Sequence, residues 1–534
     1  MKKAVLIVVA LSLLVLGSLA GYRFARQQIF WELGDQLGIA SEEAGQVQVH
    51  TEGEVEEKKL QDAKKAAAAF NDFANRYMGA SLKRPVELYV SGDEASYQIV
   101  LEREFSLSPE EAARVAAISG GWSGGNIHVA AINASAGVMS GHGDRYSTTG
   151  HELFHQLQYE LSHGKDTEKK ALFWLEEGGA DYVGALLSES LGGTPFWKWQ
   201  SDVKAELTRV KSMVSPQELQ HCTLEQRKEL MGKEYHTYRV ADMMTIYLMG
   251  RYPEEERGAR LAAYYHALAE VGKGEEAFQQ AFGQELADFL QEFEHWWQSF
   301  RQQPVVFHYR EAESKISRER AEAVMSELEA SRAWLQRNLG GQITGEYQVV
   351  LTEDVSSMTK ALAEYTELPQ EKAESLAAHS LCVENGGLLV LNAGNLQNEQ
   401  QRAFSLGMLV MRTYEGQVLA DAKGCGYAWL IHGAAYLAGT SRQSAVSGYA
   451  VADFMRSNRK KLEGLNLPRV EYLQSEEDFR KAVEKYGDEN ITALTELAAY
   501  DLIKAHGWGS FANYLQETAL TRDGVKAFKA VYGR

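Results

Sequence analysis

Two halves of this chain repeat one another, and that duplication limits what its 534 residues can fold into more than any other feature. Pro109-Glu-Glu-Ala-Ala, followed by Gly124-Gly125-Asn126-Ile127-His128-Val129, is echoed by Pro369-Gln-Glu-Lys-Ala, followed by Gly386-Gly387-Leu388-Leu389-Val390. Trp174-Leu175-Glu176-Glu177-Gly178-Gly179-Ala180 is echoed by Trp429-Leu430-Ile431-His432-Gly433-Ala434-Ala435, and Ala281-Phe282-Gly283 by Val531-Tyr532-Gly533. The offset drifts smoothly from about 260 to about 250, as expected when a duplicated unit loses loop residues. The chain is 45% hydrophobic with only 8 prolines, enough to bury two sizeable cores. The expected organisation is a first domain over 58–300, a linker over 301–315 containing Pro304, and a second copy over 316–534.

The first copy carries a constellation that the second lacks. His151-Glu152-Leu153-Phe154-His155 puts two histidines one helical turn apart, so both imidazoles reach one ion at about 2.0–2.1 Å. Glu152 points to one side of that stripe, where it can act on a metal-bound water without being a ligand. A blander reading also fits, since Thr149-Gly150-His151-Glu152 matches a capping box that would only close a helix N-terminus. Context favours the metal. Glu177 follows in a segment whose small and apolar residues suit a helix packed closely on the first. Asp181, four residues on, lies on the same face and can accept the outer N–H of a ligand histidine. Glu176 is the rival third ligand, but its own i+4 neighbour is Ala180.

This pattern resembles the gluzincin branch of zinc metallopeptidases, which pair H-E-x-x-H with a downstream Glu and, in thermolysin-like members, an Asp four residues further. The Trp174-Leu175-x-Glu177-Gly178-x-Ala180-x-Tyr182 wording is closest to peptidase MA-like domains and aminopeptidase N relatives. No G-x-M-E-N precedes the zinc helix, so recognition of a free substrate N-terminus is not implied. The resemblance implies an α+β zincin-like domain, a small twisted sheet on helices, holding one Zn2+ per chain. It implies His151, His155 and Glu177 as ligands, Glu152 as general base and Asp181 behind a ligand. Zinc brings the pKa of its water to about 7, and Glu152 would move the proton from that water to the leaving amine. Gluzincins of this kind add a Tyr or His, some sixty residues beyond the third ligand, that steadies the oxyanion. Here that interval offers Tyr235, His236 and Tyr238. The sequence leaves all three open.

Opposite His151, Glu152 and His155 the repeat places Met408, Leu409 and Arg412, and opposite Glu177 it places His432. Met and Leu offer no hard donor, and a protonated arginine has no lone pair. The second copy is therefore expected to bind no metal and to be catalytically silent. A zincin-shaped binding or scaffolding protein without turnover is the competing reading for the whole chain. An intact Glu152 favours the enzyme, because a purely structural site has no use for a base beside a ligand.

Lys2-Lys3 precede an apolar or small run from Ala4 to Ala20, with Ser18-Leu19-Ala20 suiting cleavage before Gly21. Residues 1–20 read as a signal peptide or a single-pass anchor, and either places the protein outside the cytoplasm. Residues 21–57 read as an amphipathic segment and linker. A net charge of −18 argues against nucleic-acid partners, so the expected partner is a peptide or protein substrate. Cys222, Cys382 and Cys425 are too few and too scattered for a disulfide framework. Leu60 to Met78 is predicted as a helix, and Val86 to Val90 and Ile127 to Ile132 as strands, the latter at the sheet edge beside the site.

Overall fold

The computed structural model describes residues 46–166, 171–210, 213–221, 230 and 236–533. The predicted signal or anchor segment, Cys222 and Tyr235 lie outside the described residues. No helix among the described residues is long and apolar enough to cross a membrane. The architecture is mixed α+β, with two four-stranded sheets among many helices.

The first unit opens with β1 (Val47–Glu52), α1 (Glu57–Met78), β2 (Val86–Ser91), α2 (Glu94–Phe105), α3 (Pro109–Ile118), β3 (Gly121–Gly124) and β4 (Val129–Asn133). The strands order as β1-β2-β4-β3, parallel except for the antiparallel β3. Local chemistry sets these elements. The Asp93 and Ser108 side chains cap α2 and α3, and Gly79 ends α1 in the left-handed conformation. All five residues of β4 are buried, as a central strand covered on both faces requires. The strand predicted at the edge is thus interior, and the edge belongs to β3. The period-2 signal of a four-residue strand with three small residues is too faint to read in advance.

The helices α4 (His142–Leu161), α5 (Phe173–Ser190), α7 (Thr237–Gly250), α8 (Glu254–Val271) and α9 (Gly274–Phe282) complete this unit, and α10 (Leu286–Gln302) passes from it into the second at His295. Helix α6 (Phe196–Arg209) belongs to the second unit from Trp197 onward, although it interrupts the first unit in sequence. It buries Val203, Ala205 and Leu207. Its Arg209 donates to Glu384, to the Gly386 carbonyl (2.9 Å) and to the Tyr347 hydroxyl (3.1 Å).

The second unit runs through β5 (Val306–Tyr309), α11 (Arg318–Leu339), β6 (Glu346–Thr352), α12 (Val355–Thr366), α13 (Gln370–His379), β7 (Cys382–Asn385), β8 (Leu388–Asn392), α14 (Glu399–Leu419) and α15 (Ala428–Ser447). After these come α16 (Val451–Leu462), α17 (Glu476–Tyr486), α18 (Asp488–His506), α19 (Trp508–Thr521) and α20 (Gly524–Tyr532). Its sheet orders as β5-β6-β8-β7, again with only the last strand antiparallel. Helices α1 and α11 have 22 residues each, α2 and α12 have 12, α3 and α13 have 10. The same order of elements therefore occurs twice. Two stretches expected as linkers contain strands: β1 lies within 21–57 and β5 within 301–315. Both are edge strands that pair on one side only, so neither carries the apolar run that marks a buried strand. Cys382 and Cys425 are free thiols.

Candidate metal centre

Helix α4 begins at His142, where Asp144 accepts from the Gly141 backbone N–H. His151 and Glu152 therefore lie in mid-helix, and the capping reading of Thr149 to Glu152 is excluded. The Thr149 hydroxyl instead donates back to the Arg145 carbonyl at 2.8 Å. His142 pairs with Asp62, which also holds the buried Arg145, more than two turns from His151.

Glycines bring the site-bearing helices together. A Cβ at Gly184 would fall 2.4 Å from the Ser147 carbonyl, and one at Gly178 would fall 2.3 Å from that of Ala241. Helix α5 thus touches the backbones of α4 and α7. That closeness lets a short glutamate on α5 reach the imidazoles of α4.

His151 Nε2 and His155 Nε2 lie 2.9 Å apart, and Glu177 Oε2 is 3.6 Å from the first and 3.5 Å from the second. A point about 1.9 Å from all three corners exists, so an ion at zinc-like distances of about 2.0–2.1 Å fits just off their plane. Among the described residues, this is the one group of His, Cys, Asp or Glu donors that converges in this way. It contains the three predicted ligands and neither Glu176 nor Glu152.

The outer atoms fix the tautomers. His151 Nδ1 is 2.8 Å from Asp181 Oδ1, so it carries the proton that the carboxylate accepts. Gln158 Nε2 donates to the Glu176 carbonyl (2.8 Å) and to the Tyr265 hydroxyl (2.7 Å), which leaves Gln158 Oε1 to accept from His155 Nδ1 at 2.7 Å. Both Nε2 atoms then turn lone pairs towards each other and towards a carboxylate. Such a convergence could hold a cation. Burial pushes the His151 and His155 imidazoles down, but Asp181 and Glu177 outweigh it and hold both above the ordinary range. Asp181 is backed on α7 by the fully buried Asp242, whose carboxyl is held well above its usual range by burial and by Asp181 itself. Arg239 Nη1 donates to Asp242 Oδ2 at 3.1 Å.

Glu152 is buried beside the three donors, and that burial pushes its carboxyl above the ordinary range. A Cβ at Gly121 would fall 2.2 Å from Glu152 Oε1, so the start of β3 passes against the carboxyl only because residue 121 is glycine. Ser123 Oγ donates to the Glu152 carbonyl at 3.0 Å and accepts from Gln156 Nε2 at 2.6 Å, tying β3 to α4.

His236 stands just before α7 with a left-handed backbone (φ 48°), and Tyr238 lies one turn before Asp242 on the same helix. Sequence reasoning missed Gln158, Asp242 and Gly121. Gln158 follows His155 at i+3, the spacing that could have revealed it. The chain matches no protein-family model and no curated protein sequence.

Proposed function

We propose that this chain is an extracytoplasmic zinc-dependent peptidase of the gluzincin type, with one active zincin-like copy and one silent copy. The observation that carries this reading is the pairing of a three-donor corner with a buried carboxylic base that is not a donor. Structural zinc sites close all four corners with protein, whereas catalytic ones keep three protein ligands and leave one corner for substrate chemistry. A zinc ion held by His151, His155 and Glu177 would supply the electrophile for the carbonyl and the acidity that readies water near neutral pH. Glu152 takes the proton of the attacking water and returns it to the leaving amine, a role that suits a carboxyl raised above its ordinary range by burial. Asp181 and Gln158 hold the two imidazoles in the tautomer that presents Nε2. Tyr238 or His236 on the α7 side, or Tyr235, steadies the developing oxyanion, a contribution of about 10²–10³ in rate. An extended peptide added to the outer edge of β3 would run past Glu152.

Glu152→Gln tests the reading. The variant should keep one equivalent of zinc while peptide hydrolysis falls by about 10³-fold or more. Hydrolysis at the unaltered rate would remove Glu152 as the base, and zinc retention with no hydrolysis by the parent chain would favour a zincin-shaped binding protein.

A further inference from the structure

Among the described residues of the first unit, four large apolar side chains stand exposed: Ile99, Ile118, Trp122 and Val138. Three of them gather where β3 begins. Ile118 ends α3 and is 78% exposed, Trp122 on β3 is 36% exposed, and Val138 is 49% exposed. A Cβ at Gly120 would fall 2.0 Å from Val138 Cγ2, so Val138 lies directly on the backbone leading into the strand. The Thr148 hydroxyl donates to the Val138 carbonyl at 3.1 Å, and Thr148 sits one turn before Glu152 on the same face of α4. The apolar cluster is thereby fixed to the helix that carries the base. Single exposed apolar residues are ordinary, but three around the start of one strand beside a candidate site are not.

The strand's alternation says how a peptide would meet this cluster. Gly121 and Ser123 turn towards α4, the first against the Glu152 carboxyl and the second bonded to its carbonyl. Trp122 therefore stands on the opposite face, across from its strand partner Ala131. Only β4 pairs with β3, which leaves the outer backbone edge without a strand partner among the described residues. A peptide laid along that edge alternates in the same way. Where one of its residues faces Glu152, the next places its side chain on the Trp122 face.

We infer that this chain selects its substrates by a bulky apolar side chain, leucine-like or phenylalanine-like, seated on the ledge of Ile118, Trp122 and Val138. That side chain belongs to the residue next to the one facing Glu152. The inference rests on the hydrolytic reading of the metal centre. It commits to an extended peptide because the ledge is continuous with the strand edge and with the base.

The test uses the full zinc-loaded chain and a mixed peptide library, with cleavage sites read by mass spectrometry. One position near the cleaved bond should demand an apolar residue. Paired peptides with Leu or Ser there should differ by about tenfold or more in kcat/KM. Ile118→Ser and Val138→Ser, both at exposed positions, should each cut that ratio to about threefold or less with zinc content unchanged. Cleavage without an apolar preference at any position, or a preference that both variants leave intact, overturns the ledge while the peptidase reading stands. Failure to cleave any peptide sinks the peptidase reading and the ledge together. Self-association that Ile118→Ser abolishes without altering the Leu to Ser ratio also overturns it, since the ledge would then bind a second copy of the chain.

Discussion

The helix pair α4 and α5 and its counterpart α14 and α15 keep the same packing and have lost each other's chemistry. A Cβ at Gly184 would meet the Ser147 carbonyl at 2.4 Å, and one at Gly439 would meet the Phe404 carbonyl at 2.7 Å. Gly178 and Gly433 press with equal closeness, 2.3 Å each, on the carbonyls of Ala241 and Thr495. Counting outward from these glycines, His151, Glu152, His155 and Gln158 stand where the second copy has Met408, Leu409, Arg412 and Glu415, and Glu177 and Asp181 where it has His432 and Tyr436. In that copy Arg412 Nη2 donates to His432 Nδ1 at 2.9 Å, and His432 Nε2 donates to Glu476 at 2.9 Å. A guanidinium that never deprotonates is a cation built into the chain, where the first copy offers lone pairs to capture one. Cys382 opens β7 as Gly121 opens β3, and Leu409 takes the helix position of Glu152. The fold depends on glycines at helix contacts, the chemistry on the polar residues one turn away, and the two have diverged independently.

On the proposed reading, the sharpest break between the copies would be metal stoichiometry. Glu177→Ala should reduce bound zinc from one equivalent to almost none and hydrolysis by about 10³-fold or more, since the metal supplies several kcal/mol of transition-state stabilisation. Arg412→Ala should leave zinc content and hydrolysis as they are. A second equivalent of zinc in the parent chain, lost on changing His432, would show that the second copy is not silent.

Glu415 gives a pH-dependent contrast with Gln158. Its carboxyl is buried and pushed up to about 8, chiefly by burial. The folded chain thus keeps a proton that the unfolded chain releases near pH 4.3. Stability is fully present below that pH and declines as pH rises through about 8, after which it levels off. Glu415→Gln should match the parent at pH 4 and exceed it at pH 9 by a few kcal/mol, as read by urea unfolding at the two pH values. An unchanged difference between them would show that Glu415 is ionised in the fold.

Next in size are the groups behind the imidazoles. Asp181→Ala and Gln158→Leu should each weaken zinc binding by about 10–100-fold in competition with a chelator while leaving one equivalent at saturation. Equal affinity in the Gln158 variant would show that His155 holds its tautomer without help.

Much of this was legible beforehand. The repeated segments exposed the duplication, and the i+4 spacings of His151 to His155 and of Glu177 to Asp181 showed which side chains share a helix face, because that geometry is local. What escaped was set by tertiary contact. Asp242 reaches the site only because Gly178 lets α7 touch α5, and Gly121 matters only because β3 crosses α4 at Glu152. The edge position of β3 escaped because Gly121-Trp122-Ser123-Gly124 has no apolar alternation, and β1 and β5 escaped because edge strands need so little of it. Helix α6 has a plain amphipathic pattern, and nothing in its own residues says which half of the duplication covers it.

The finest contrast comes from adding one methyl group at the same place in each copy. Gly184→Ala and Gly439→Ala gain about 1 kcal/mol of helix propensity, yet each sets a Cβ against a carbonyl of the facing helix. Overpacking typically costs about 1–3 kcal/mol, so a net loss of up to about 2 kcal/mol is expected in both variants, seen as a Tm lowered by a few degrees. The consequences should then part. Forcing α5 away from α4 moves Glu177 from His151 and His155, which now stand 3.6 and 3.5 Å from it, so Gly184→Ala should also weaken zinc binding. Gly439→Ala should lower Tm alone. Equal losses of zinc affinity in the two variants would mean that the glycine contacts stabilise the chain as a whole without setting the distance between ligand-bearing helices, and the separation of packing from chemistry would fail.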